Sequence, residues 1–347
     1  MPRSVQPETD KLARVLDDTG LWRDLTELPE TLAATLDTRE GFAEAAALLG
    51  TPGVRRIVAS GNGAAYYVCV ALWLASLERR DGPEVLAVPS GLLAGGAFAW
   101  RPGDAFLAVS SSGEFRDLIE AIDAGAPAPY VAVTSTPEST IGSRAGARAL
   151  VSVAHQRAVT HTQAYCGNVV AALAVWAELT ADSGLAAALG RLPEETATAL
   201  RTARSWVGGI AAPDAGTAIA FGSRAAWAAA LEAALLLKEV SGLPAEGVET
   251  REGATSAMMA LRPGDLALSL PTRGDDALLA EAEAACAGRG ARVLRAPVPD
   301  LADGRLAAVT TFPAAAALSG SLGLARGLDV DRPAWTDAYY RVARGSA

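Results

Sequence analysis

The chain has 347 residues, half of them apolar, and a formal net charge of −9. That length can hold one large or two ordinary domains around a sizeable core. The acidic balance argues against a nucleic-acid partner, which would need a basic face, but not against an anionic ligand, because local dipoles outweigh net charge in a pocket. Cys69, Cys166 and Cys286 stand far apart with no paired spacing. A reducing compartment, no disulfide framework and no metal site are therefore expected. The opening residues MPRSVQPETD carry no apolar leader, and the apolar run Ala64 to Ser76 is too short to cross a bilayer. A cytoplasmic protein with no membrane partner is the expectation.

In chain order, residues 1–50 read as a helical segment. VRRIVAS (54–60) then reads as a strand, followed by a glycine-rich turn and a helix from Ala64. EVLAV (84–88), DAFLAVS (104–110), YVAVTS (130–135) and ARALVSV (147–153) read as further strands. The later part of SSGEFRDLIEAI is helical, and a long helix starts near Thr162. A helical stretch near 185–210 bridges to TAIAF (217–221), a helix reaching Val240, DLALSL (265–270), another helix, and ARVLRA (291–296). A last long helix spans 312–327, before a tail that begins irregularly. Strands alternating with helices imply α/β architecture, with doubly wound parallel sheets and helices on both faces.

The tetrapeptide RPGD occurs at Arg101–Asp104 and again at Arg262–Asp265, an offset of 161. Gly61 and Gly222, Gly113 and Gly274, and Glu114 and Asp275 keep that offset. Several landmarks in one register indicate a tandem pair of similar domains. The expected division is a first domain over 51–190 and a second over 191–347.

Ligands of open parallel sheets bind beyond the carboxyl ends of the strands. Ser60-Gly61-Asn62-Gly63 lies there, with glycines that let backbone N–H groups approach an anion. Ser110-Ser111-Ser112-Gly113 lies there too, offering three hydroxyls before a helix start. One serine suffices to cap a helix. In the second copy the three become Pro271, Thr272 and Arg273, so a phosphate site is expected in the first copy alone. His161, Thr162 and Gln163 lead into the next helix, Thr162 as a candidate N-cap and the other two within reach of a substrate. In LEAALLLKEVSGLP, Lys238 and Glu239 close a helix stopped by Gly242 and Pro244. The negative end of that helix should raise the Glu239 pKa towards that of a neutral-pH base. Lys238 offers a Schiff-base amine or a partner for a carboxylate. Glu252, near a further helix start, is a second carboxylate whose simplest role is capping.

Three segments in order carry a family resemblance: SSSGEFRDLIEAI, the stretch GSRAAWAAALEAALLLKEVSGLPAEGVETREG, and GLDVDRPAW. They resemble the phosphate loop, second-domain helix and C-terminal segment of the sugar isomerase (SIS) family. That family includes phosphosugar isomerases, amino-sugar-phosphate deaminases, fructosamine-phosphate deglycases and the isomerase half of glucosamine-6-phosphate synthase. The resemblance covers residue 40 onward. It implies a phosphorylated sugar or amino sugar as ligand, a homodimer with shared sites, and no organic cofactor or metal. It implies phosphate contacts at Ser110 and Ser112 with backbone help from Ser111 and Gly113. Glu239 matches the carboxylate that moves a proton between C1 and C2.

The departures matter as much. Phe115 stands where the phosphate loop carries Thr, and Gly63 where the first turn carries a hydroxyl. Thr255 stands at the ring-opening His, and Ala338 at a C-terminal Lys. No glutaminase half is present, so amide transfer from glutamine is not expected of this chain. The residues leave three readings open. One is an isomerase or deaminase using Glu239, with His161 as a substitute for the missing His or with a substrate that enters in open-chain form. Another is a deglycase in which Lys238 or water releases an amine. The third is a sensor that binds without turnover.

Overall fold

The computed structural model describes residues 15–79, 81–210, 214–272, 276–297 and 303–344. The apolar runs form two fully parallel sheets. The first contains β1 (Arg56–Gly61), β2 (Glu84–Pro89), β3 (Asp104–Val109), β4 (Val131–Thr134) and β5 (Ala147–Leu150), in the order β2-β1-β3-β4-β5. The second contains β6 (Ala218–Gly222), β7 (Ala245–Glu249), β8 (Leu266–Ser269) and β9 (Arg292–Arg295), in the order β7-β6-β8-β9. The inner strands β1, β3, β4, β6 and β8 are apolar and buried almost throughout, as strands covered on both faces must be.

The helices follow in chain order. The N-terminal segment supplies α1 (Gly20–Thr26), α2 (Leu28–Leu36) and α3 (Arg39–Leu49). The first sheet carries α4 (Ala64–Ser76), α5 (Ser90–Ala94), α6 (Arg116–Asp123) and α7 (Thr140–Arg144). Then come α8 (Thr162–Leu179) and α9 (Ser183–Gly208), the latter with Pro193 inside it. The second sheet carries α10 (Ala225–Glu239), α11 (Thr250–Thr255) and α12 (Asp276–Gly288). The chain continues through α13 (Ala307–Thr310) and α14 (Phe312–Ala325) to α15 (Thr336–Arg344). The stretch Gly304–Ala325 is apolar and long enough to span a bilayer, but its apolar window is wholly buried, as in a core helix.

The elements keep the 161-residue offset. Moving β1 to β4 forward by that amount lands on β6 to β9, and α4 lands on α10. The strand β7 was not legible as a strand, because two glutamates and a glycine interrupt Ala245–Glu249, and the run lies at a sheet edge. Strand β5 ends at Leu150, short of the expected 153.

The described residues divide into two compact units, and neither is one continuous stretch. One joins the residues up to Pro29 with His155–Thr162 and Pro193–Trp335; it holds the second sheet. The other joins Glu30–Ala154, Gln163–Leu192 and the residues from Thr336 onward; it holds the first sheet. This differs from an N-terminal segment followed by domains at 51–190 and 191–347, and polar anchors explain why. The Gly20 and Leu21 amides at the start of α1 both donate to the Asp331 carboxylate at 2.8 Å. Asp24, 1% exposed, accepts from the Arg157 and Ala158 amides and from the Arg157 guanidinium.

The repeated RPGD is a turn that launches a central strand. Pro102 and Gly103, the latter at φ 88°, fill the middle of a type II turn closed by the Asp104 N–H on the Arg101 carbonyl at 3.0 Å. Gly264, at φ 91°, repeats the geometry before β8. In both copies the aspartate accepts its own arginine's amide at 2.8 Å. Asp104 also takes the Arg56 guanidinium at 2.9 and 2.7 Å. Burial would raise the Asp104 carboxyl, but the Arg56 hydrogen bond and the Arg101 amide outweigh it and hold the pKa below the ordinary value. A depressed carboxylate stabilises the fold above its unfolded pKa, and that stability is lost as pH falls through the folded value. Asp104→Asn should therefore cost about 3 kcal/mol at pH 7, with the gap from wild type closing below about pH 4. Chemical denaturation across a pH series reads both.

Candidate functional site

Strand order reverses at β1, which pairs with β2 on one side and β3 on the other. The crevice of such a sheet opens beyond the carboxyl ends of β1 and β3. Both expected anion loops of the first sheet leave from there. After β1, Ser60 is fully buried and its hydroxyl has no partner among the described residues. A Cβ on Gly61 would lie 2.6 Å from the Ala65 carbonyl carbon, so only glycine lets α4 start so close to the strand. Asn62 is exposed, and Gly63 bends the chain at φ 53°, ψ −127°.

After β3, the serine loop is held from behind. The Ser111 carbonyl accepts from the Thr134, Ser135 and Thr136 hydroxyls at 3.1, 2.9 and 3.2 Å, and from the Ser135 amide at 3.2 Å. The Ser110 carbonyl accepts the Gly113 amide at 3.1 Å. In a trans peptide the N–H points opposite to the carbonyl. The Ser111 and Ser112 N–H groups therefore point away from these anchors, and neither donates to a described residue. Gly113 has φ 63°, and a Cβ there would overlap the Ser139 hydroxyl. Glu114 turns aside to accept the Thr140 amide and hydroxyl at 2.7 and 2.8 Å.

Each serine hydroxyl already accepts one N–H. Ser110 Oγ takes the Gly113 amide at 3.1 Å, Ser111 Oγ takes Asn168 Nδ2 at 2.8 Å, and Ser112 Oγ takes the Glu114 amide at 3.3 Å. None of the three donates to a described group. None caps α6 either, since that helix starts behind Phe115 with no side-chain cap. Three O–H and two N–H donors thus remain uncommitted in one short loop, an arrangement suited to a multivalent oxyanion.

Sequence reasoning missed the residues behind the loop. Thr134, Ser135 and Thr136 were visible as three consecutive hydroxyls at and just after the end of β4, and Asn168 as an amide within the apolar helix α8. Other expected contacts are turned elsewhere. Gln163, 3% exposed, accepts the Thr31 hydroxyl of α2 at 2.5 Å. Thr162 is the first residue of α8 rather than its cap, with a buried hydroxyl unpartnered among the described residues. His161 is half-buried just before it. In the second sheet Pro271 offers neither hydroxyl nor N–H, and Arg273, Gly274 and Asp275 lie outside the described residues.

The unit with the second sheet holds the carboxylate candidates. Glu239 ends α10, and its carbonyl accepts the Trp335 indole N–H at 2.8 Å. Burial pushes its carboxyl up to about 7, with a smaller opposing pull from Lys238. Burial is thus the cause, where the sequence had pointed to the helix end. Lys238 itself is exposed. Glu232, seven residues earlier and 4% exposed, is driven well above the ordinary range by burial and by Glu239. Glu252 is exposed, and the cap of α11 is Glu249, which accepts the Arg251 and Glu252 amides. Thr255 spends its hydroxyl on the Arg251 carbonyl at 2.8 Å.

No protein-family model and no curated protein matches the chain. Solved structures do. A candidate phosphosugar isomerase from Silicibacter pomeroyi is 24% identical with a TM-score of 0.76, over 90% of this chain and 100% of that one. Glucosamine-6-phosphate deaminase from Thermotoga maritima is 18% identical with a TM-score of 0.72, over 91% and 98%. The C-terminal domain of glucosamine-fructose-6-phosphate aminotransferase from Francisella tularensis is 18% identical with a TM-score of 0.69, over 91% and 98%. The chain has the sugar isomerase fold, two parallel sheets with helices on both faces.

Proposed function

We propose that the chain is a tandem pair of sugar isomerase domains that binds a phosphorylated sugar or amino sugar through Ser110, Ser111 and Ser112. The observation that carries this reading is the state of those hydroxyls. Each has its acceptor role filled by an N–H and its own proton uncommitted among the described residues. A phosphate monoester, which only accepts, matches such a set. Gly61, Asn62 and Gly113 complete the binding loops, and Glu239 is the base that moves a proton between C1 and C2 of the open-chain sugar. A carboxylate with a pKa of about 7 suits that task, because it is both substantially ionised and basic near neutral pH. Ketose–aldose isomerisation and deamination of a 2-amino sugar phosphate both follow from the same proton transfer. The working form is a homodimer.

A sensor without turnover is the second reading. It is favoured by Thr255 at the ring-opening position, where the hydroxyl is committed to the Arg251 carbonyl.

Fructose 6-phosphate or glucosamine 6-phosphate in heavy water separates the two readings. Deuterium entering C1 or C2, followed by NMR, should fall by about 100-fold or more in E239Q, while ligand affinity is kept. The wild-type exchange rate should rise with pH through about 7 and then level, as Glu239 ionises. Saturable binding without exchange would replace the enzyme with the sensor. Ser110→Ala and Ser112→Ala should each weaken phosphosugar binding by about tenfold, and the unphosphorylated sugar should not bind; equal affinity for both sugars would sink the phosphate assignment.

Glu239 also predicts a stability profile. Its folded pKa lies above the unfolded value, so its contribution is present below about pH 4.3 and is lost as pH rises to about 7. The melting temperature of E239Q should therefore exceed that of wild type by more at pH 8 than at pH 5. A constant difference would show that Glu239 ionises as freely folded as unfolded.

A further inference from the structure

We infer that Asn168 is a positioning residue that fixes the direction of the Ser111 hydroxyl proton, making Ser111 a donor to the ligand's phosphate; this rests on the phosphosugar reading of the serine loop. Asn168 lies in α8, 57 residues beyond Ser111 in sequence and 2% exposed. Its approach is set by the neighbouring Gly167. A Cβ there would sit 2.3 Å from Val151 Cγ1, so α8 packs at this depth only because residue 167 has no side chain.

The three serines are oriented in two different ways. Ser110 and Ser112 accept from the loop's own amides at Gly113 and Glu114. The Ser111 hydroxyl accepts from outside the loop, through Asn168 Nδ2 at 2.8 Å. A hydroxyl that has accepted an amide N–H cannot return its proton to that nitrogen, and no described residue accepts it. The proton is left for a bound acceptor. The other end of the same amide supports a functional role. Asn168 Oδ1 is buried and has no donor among the described residues. A residue kept only for packing would avoid that cost, since an apolar side chain of similar size would fill the space without an unsatisfied acceptor. The arrangement tolerates the loss at Oδ1 to keep Nδ2 on Ser111.

The test is a mutant cycle on the dissociation constant of fructose 6-phosphate or glucosamine 6-phosphate, by calorimetric titration, with melting temperatures recorded alongside. Asn168→Ala should weaken binding by about fivefold to tenfold in the wild-type background. In the Ser111→Ala background the same change should leave the constant within about twofold, because its only route to the ligand is gone. Equal losses in both backgrounds would reduce Asn168 to a packing residue and overturn the inference while leaving the phosphosugar reading intact. Asn168→Leu, which keeps the volume, repeats the cycle should the alanine variant fold poorly. No binding of either sugar phosphate to wild type would overturn the phosphosugar reading itself, and the inference with it.

Discussion

Four donors converge on the Ser111 carbonyl, and the orientation of the serine loop depends on that convergence. A single carbonyl rarely needs more than two partners. Here the excess acts as a clamp on one peptide plane: with the oxygen drawn towards the end of β4, the Ser112 N–H must face the other way. Gly113 then turns the chain at a φ that a side chain would block against Ser139. The donors are therefore set by the fold itself, an order that a flexible loop would acquire only at an entropic cost.

The carboxylates of α10 show the opposite strategy, in which solvent is withheld. Glu232 and Glu239 are seven residues apart, just under two turns, and so face the same side of the helix. Burial raises both, and the Glu239 charge adds to the rise at Glu232. Because Glu232 lies deeper, its proton is the harder to remove, and near neutral pH Glu239 is the one that titrates. A helix made almost entirely of alanine and leucine around these two groups supplies the low-dielectric surroundings that separate their roles.

The fold was legible where local patterning decides it. Apolar runs bounded by glycine or proline located β1 to β4, β6, β8 and β9, and three hydroxyls following a buried strand marked the loop whose donors the structure leaves uncommitted among the described residues. Strand β7 was missed because Glu246 and Glu249 mask its period, although EVLAV moved forward by 161 lands on it. The discontinuous units were not legible, since they depend on pairings such as Asp24 with Arg157, 133 residues apart. The same holds for Gln163. The sequence placed it at the start of a helix with a substrate in reach, but only packing shows that its carbonyl is taken by Thr31. Local sequence places a side chain on an element; it does not say which of several polar neighbours that side chain will choose.

Nearly identical backbone carries different side chains at the switch points of the two sheets. Gly63 and Arg224, 161 residues apart, have almost the same backbone angles: φ 53°, ψ −127° and φ 54°, ψ −131°. The turn is thus a property of the strand-to-helix junction, kept even where arginine makes it strained. Gly61 and Gly222 each allow a helix to start against its strand, with a Cβ excluded at 2.6 and 2.5 Å. What changes is the donor set. Asn62 is exposed beside the first crevice, whereas its counterpart Ser223 gives its hydroxyl proton to Thr250 at 2.8 Å. Ser110 is replaced by Pro271, which has no N–H and no hydroxyl. Since the strand-to-helix junction is common to both, the donor sets at the ends of the two sheets differ through these few substitutions alone.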